Sequence, residues 1–275
     1  MEARQESLRR RYPHRIVCLT EETTETLYLL EEDWRIVGIS GFTVRPARAR
    51  REKPKVSAFT SAKNEQIFAL QPDLVLGFSD LQSDIAADLI RRGLDVMVFN
   101  HRDVAGIFSM IRRLGGLIGC QEKAELLCER LAGGLAQIRE SANSFRVRPA
   151  VYFEEWDDPL FAGSRWVSEL VEIAGGRDCF ADYAQHSLGK DRIIADPAEV
   201  IRRAPQVILG SWCGKKFRPE NVAARPGWGD IPAVRDGQLH EVKSPIILQP
   251  GPAALTDGVA RIHDILRRWQ QPAAN

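Results

Sequence analysis

Three stretches combine residue types that could do chemistry. The densest is "VYFEEWDDPLFAG", starting at Val151, where Glu154, Glu155, Asp157 and Asp158 surround Trp156 and run into Pro159. Such a knot could hold a metal, supply an acid–base pair, wall a flat ligand or stand as a solvated loop. Carboxylates adjacent on one segment point in different directions, whereas glycosidase-type pairs come from separate elements, so the spacing argues against that chemistry. The second stretch is "SWCGKK", where Lys215 and Lys216 could lower the pKa of the Cys213 thiol. Its plainer reading is a small residue in a tight loop. The third is His101, the one histidine of five at the end of an expected strand. No HxxxH or HxH spacing occurs, and a metal centre needs three or four converging ligands. No catalytic residue, metal site or required cofactor is therefore expected. P-loop, GxSxG and GxGxxG motifs are missing as well.

Positioning these residues falls to short apolar runs that alternate with helical stretches. "RIVCL" (15–19), "RIVGIS" (35–40), "DLVLGF" (73–78) and "DVMVF" (95–99) read as strands. "TEETTETLYLL" (20–30), "NEQIFALQ" (64–71) and "SDIAADLIRRG" (83–93) read as helices, with Thr20 a possible N-cap followed by first-turn acids. Alternation of this kind predicts βαβ units and a mainly parallel sheet. Residues 103–145 hold no strand and two amphipathic helices; the second, of over twenty residues, would span ~30 Å or more. The alternation resumes with "AVYFEE", "WVSELVEIAGG", "DPAEVIRRA", "QVILGS", "GQLHEV" and a final helix, "AALTDGVARIHDILRRW". An internal repeat supports two similar lobes: aligned on Pro72 and Pro205, Leu74, Val75, Leu76 and Gly77 match Val207, Ile208, Leu209 and Gly210. The expected fold class is α/β, two Rossmann-like lobes with mainly parallel sheets joined by a long backbone helix. The expected divisions are a basic N-terminal extension (1–14), an N-terminal α/β lobe (15–102), a helical connector (103–147) and a C-terminal α/β lobe (148–270).

Bulk properties narrow the partners. The 275 residues carry 38 Lys and Arg against 37 Asp and Glu, so a net charge of +1 gives no reason to expect nucleic acid. No run approaches the ~20 apolar residues of a membrane helix, so no membrane insertion is expected. No apolar core follows the basic "MEARQESLRRRYPHR", and the five cysteines form no CxxC pair. Both point to a cytoplasmic protein with reduced thiols; a chain relieved of its leader would be periplasmic instead.

In open α/β sheets ligands bind beyond the carboxyl ends of the strands. Phe42, Phe59, Phe78, Trp156 and Trp212 all fall there, together with Ser79, His101, Glu155, Asp157, Asp158, Cys213 and Ser244. Aromatic walls with a few polar groups suit a large, partly apolar small molecule. Arg45, Arg165, Lys190 and Lys215 could pair with its carboxylates or phosphates. Ser79 and Asp80 also suit plain helix capping.

The opening "RIVCLTEETTETLYLLEEDWRIVGIS", the "PDLVL" after a short helix, "LGGLIGCQEKAELLCERL" and "ELVEIAGG" together resemble the class III solute-binding proteins of ABC importers. The similarity covers roughly residues 15–269 and is nearest to the cobalamin-binding branch. It implies a chelatase-like two-lobe fold and non-catalytic binding, between the lobes, of cobalamin or a related metal chelate. Siderophore or haem binding for an importer is an alternative. The resemblance also implies an ABC permease partner, met through one glutamate per lobe. Those positions fall on Glu65 and, one residue beyond the matching Ala198, on Glu199. Two other readings stay open: a cytosolic enzyme acting through Asp158, His101 or Cys213, and a ligand sensor using the basic stretch "RPARARREKPK" (45–55) as a contact surface. A solvated loop is the plain reading of that stretch.

Overall fold

The computed structural model describes residues 11–271, so residues 1–10 of the expected basic extension lie outside them. Two compact units are present. The first contains the described residues through His101 with Ala105–Arg130; the second contains Arg102–Val104 and the residues from Leu131 onward.

The first unit is built on a five-stranded sheet of order β3-β2-β1-β4-β5: β1 (Ile16–Cys18), β2 (Ile36–Ser40), β3 (Lys55–Ser57), β4 (Leu74–Phe78) and β5 (Val96–Phe99). Every pairing in it is parallel. A parallel strand is covered on both faces and so reads as a continuous apolar run; β1 and β4 are buried along their whole length. Val17, Leu19, Val56, Ile67, Val75 and Leu89 form the core against them. Helix α1 (Glu21–Leu29) follows β1, and α2 (Ser83–Arg91) joins β4 to β5. Helix α3 spans Val104–Leu117. The basic stretch 45–55 is largely exposed, as a solvated segment would be, but several of its guanidinium groups are engaged within its own unit. Arg45 bonds Glu25 at 2.8 Å, Arg48 lies 3.3 Å from Asp33 and over the Tyr28 ring, and Arg50 donates to the carbonyls of Gly41 and Thr43. Its guanidinium groups hold the loops of their own unit in place, because free carbonyls and acids there need donors.

The second unit has β6 (Ala150–Asp157), β7 (Leu160–Ala162), β8 (Arg177–Asp178), β9 (Val207–Gly210) and β10 (Leu239–Glu241) in the order β10-β9-β6-β7, with β8 also beside β6. Its helices include α5 (Arg165–Ile173) and α6 (Val259–Trp269); α4 (Gln121–Ala142) contains the division between units, after Arg130. The main difference from expectation lies after Glu155. Rather than leaving the sheet as an irregular loop, β6 continues to Asp157, turns through the cis Asp158–Pro159 bond and pairs antiparallel with β7. Asp157 faces Leu160 and Trp156 faces Phe161. The ladder satisfies backbone groups that a loop would leave to water.

The sequence repeat has a structural counterpart. β4 lies beside β1 with Val75 opposite Val17, and β9 lies beside β6 with Ile208 opposite Tyr152. Its shared glycine is a close-approach position in both units. A Cβ on Gly77 would fall 2.9 Å from Gln82 Oε1, and one on Gly210 would fall 1.9 Å from the Phe217 ring.

Candidate ligand-binding surface

At the carboxyl end of β6 three of the four acids resolve into separate ion pairs, each with a base from a different segment. Glu154 is fully buried and accepts from Arg225 at 2.5 and 2.9 Å and from Trp212 Nε1 at 3.0 Å. Glu155 accepts from both terminal nitrogens of Arg192, at 2.7 and 3.2 Å, and from the Ser164 amide at 3.1 Å. Asp157 lies 2.5 Å from Lys215 Nζ, which sits 4.4 Å above the Trp156 ring and 5.1 Å from that of Trp212. The two arginine pairs are bidentate and charge-assisted, which fixes geometry strongly. The hairpin thus gathers the loops at 192, 215 and 225 around itself.

These contacts change several expectations. Trp212 is mostly core rather than an open wall: it is 4% exposed, packs edge-on against Phe217 and belongs to the second unit's core. Glu155 is occupied by Arg192 and the start of α5 rather than open at a rim. Trp156 is half-buried, with its indole N–H donating to the Asp158 carbonyl at 2.8 Å. Asp158 and Cys213 are exposed, and so is Arg165, which reaches Glu169 at 3.1 Å. Trp212, Lys215 and Ser244 share a depression of about 270 Å³. Asp157 and Asp158 border another of about 430 Å³, completed by Leu160, Ile194, Arg225 and Trp228.

In the first unit, Phe78 is likewise core, 5% exposed, with its ring edge-on to His101 at 5.1 Å. His101 also packs beside Phe99 and lines a depression of about 360 Å³ at the end of β5. Ser79 is a cap: at φ 66° its hydroxyl accepts from the Leu81 amide at 3.3 Å. Phe59 is half-buried, and its carbonyl accepts from the Gln82 side chain. Phe42, 47% exposed, is the most open of the five candidate aromatics.

The acids at the start of α1 read from sequence as ordinary partners of the helix dipole. They are instead buried at the carboxyl end of β1. Burial pushes Glu21 up to about 7 and Glu22 up to about 8; the hydrogen bond from the Thr20 hydroxyl opposes the second shift, and the nearby Glu21 adds to it. The signal available was "EETTET" directly after a buried strand, a helix with too few apolar residues for its position. Glu65 is exposed on the short helix Asn64–Ala69, 2.9 Å from Arg92. Glu199 is held by Arg202 at 2.6 Å and Arg203 at 2.7 Å, and Arg203 in turn bonds Asp182.

Among the described residues no cluster of three or more His, Cys, Asp or Glu is placed to hold a metal, and no helix is long and apolar enough to cross a membrane. A family model described as periplasmic binding protein matches residues 16–246. An ABC transporter substrate-binding lipoprotein of Bacillus subtilis (strain 168), YvrC, is 24% identical over 260 residues, covering 91% of this chain and 79% of that one. The vitamin B12-binding protein of Vibrio campbellii is 25% identical over 244 residues, 86% of this chain and 83% of its own. Among solved structures, the periplasmic haem-binding protein RhuT of Roseiflexus sp. RS-1 has a TM-score of 0.77 at 22% identity, over 92% of this chain and 98% of that one, a likeness of fold. With a lipoprotein among the relatives and a family model described as periplasmic binding protein, the cytoplasmic expectation finds no support.

Proposed function

Since this chain belongs to the periplasmic binding protein family, we propose that it binds a corrinoid without transforming it and presents it to an ABC importer at the outer face of the cell membrane. The observation that carries the ligand class is the likeness to a vitamin B12-binding protein over 86% of the chain. The strand ends supply suitable chemistry. Phe42 offers an open apolar face, and Asp158 and Ser244 offer hydrogen-bond acceptors for the amides that rim a corrinoid. Lys215 over Trp156 offers a cation beside an aromatic plane. Phe59 and His101, both half-buried, complete the proposed contacts of the first unit. Phe78 and Trp212 act as the packed floor that holds these groups in place. Glu65, whose side chain is 85% exposed, is the better placed of the two glutamates to meet a permease; Glu199 is tied within its own unit.

The test is the visible spectrum and mass spectrum of whatever accompanies natively isolated protein, with titrations of aquocobalamin and haemin alongside. A bound corrinoid, with cobalamin taken up and haemin refused, is the expected result. Bound haem, or uptake of haemin alone, would replace the corrinoid with a porphyrin.

A further inference from the structure

The second unit holds a small cavity of about 40 Å³ at the start of α5, lined in part by Arg102, Ser164, Arg165, His186, Ser187 and Arg192. By volume it has room for roughly three waters, at ~10–15 Å³ for each, or one small oxoanion. Three arginines, Arg102, Arg165 and Arg192, line a space with no carboxylate among the described residues that line it. Asp103, Glu155 and Glu169 hold two of them through ion pairs: Arg192 to Glu155 at 2.7 Å, and Arg165 to Glu169 at 3.1 Å and Asp103 at 3.6 Å. Ser164 is the N-cap of a nine-residue helix, yet its hydroxyl makes no cap bond. The residue is 3% exposed, and its Oγ is buried without a hydrogen-bond partner. A buried hydroxyl with nothing to bond is costly unless something occupies the space. The positive end of the helix favours an anion at the same place.

We propose that this cavity is a phosphate-binding site, taking either free phosphate or the phosphate group of a larger ligand. Planar guanidinium groups match phosphate oxygens two at a time, and the Ser164 hydroxyl donates a further bond. The site stands apart from the corrinoid reading, because phosphate alone probes it.

The experiment is calorimetric titration of the full chain with inorganic phosphate against chloride at matched ionic strength, which removes general screening. Saturable binding is expected. Ser164→Ala and Arg165→Gln, whose circular dichroism should match the unaltered protein, are each expected to weaken it at least tenfold. Repeating a cyanocobalamin titration in phosphate identifies the source: competition means that the cavity takes a phosphate carried by the ligand, and additive binding means free phosphate. Either result supports the site. No saturable phosphate heat, or unchanged affinity in both variants, overturns it, and neither outcome bears on whether cobalamin binds.

Discussion

Glu22 offers a quantitative test of how the first unit is built. Its carboxyl is 1% exposed and its pKa rises from 4.5 to about 8, chiefly because burial disfavours the charged form. A group protonated more readily when folded contributes proton-linked stability that is complete below the unfolded value near 4.5. That stability is lost as pH rises through about 8. At ~1.4 kcal/mol per pH unit, the full loss is on the order of 5 kcal/mol. Glu21, raised to about 7, adds a loss of the same sign at slightly lower pH. Glu22→Gln keeps an oxygen that can accept from the Thr20 hydroxyl but removes the charge. Urea unfolding followed by circular dichroism at intervals from about pH 5 to pH 9 reads the effect. The variant should match the unaltered protein near pH 5 within about 1 kcal/mol and exceed it by a few kcal/mol at pH 9. Parallel pH profiles for the two proteins would show that Glu22 is not buried as a neutral acid, and would refute the reasoning.

The other predictions rest on single contacts. Arg225→Met should destabilise the protein by about 3–5 kcal/mol in urea unfolding, because it strands the buried Glu154 carboxylate; adding Glu154→Gln should recover part of the loss. Gly210→Ala should cost about 1–3 kcal/mol by driving a methyl into the Phe217 ring, with Phe217→Leu relieving part of it. Phe42→Ala should leave the thermal midpoint nearly unchanged while weakening ligand binding, whereas Trp212→Ala should lower stability by about 3–5 kcal/mol.

Strand and helix order was legible because parallel strands buried on both faces read as unbroken apolar runs, as in "IVC" of β1 and "LVLGF" of β4. The repeat glycines were visible as a pattern, but the Gln82 and Phe217 side chains that require them come from later loops and leave no local trace. The site was harder to read. An aromatic residue after a strand looks the same in sequence whether it turns into the core, as Phe78 and Trp212 do, or toward solvent, as Phe42 does. The "EEWDD" acids looked like a reactive cluster because their partners, Arg192, Lys215 and Arg225, lie 37 to 71 positions away. Long-range ion pairs have no period to read.

The central claim is that this chain holds a corrinoid, and the most direct measurement is calorimetric titration of the purified protein with cyanocobalamin. One molecule bound per chain with a Kd of about 10 μM or tighter, corresponding to roughly 7 kcal/mol or more of binding free energy, is the predicted result. The absence of saturable heat at protein and ligand concentrations well above that value would contradict it.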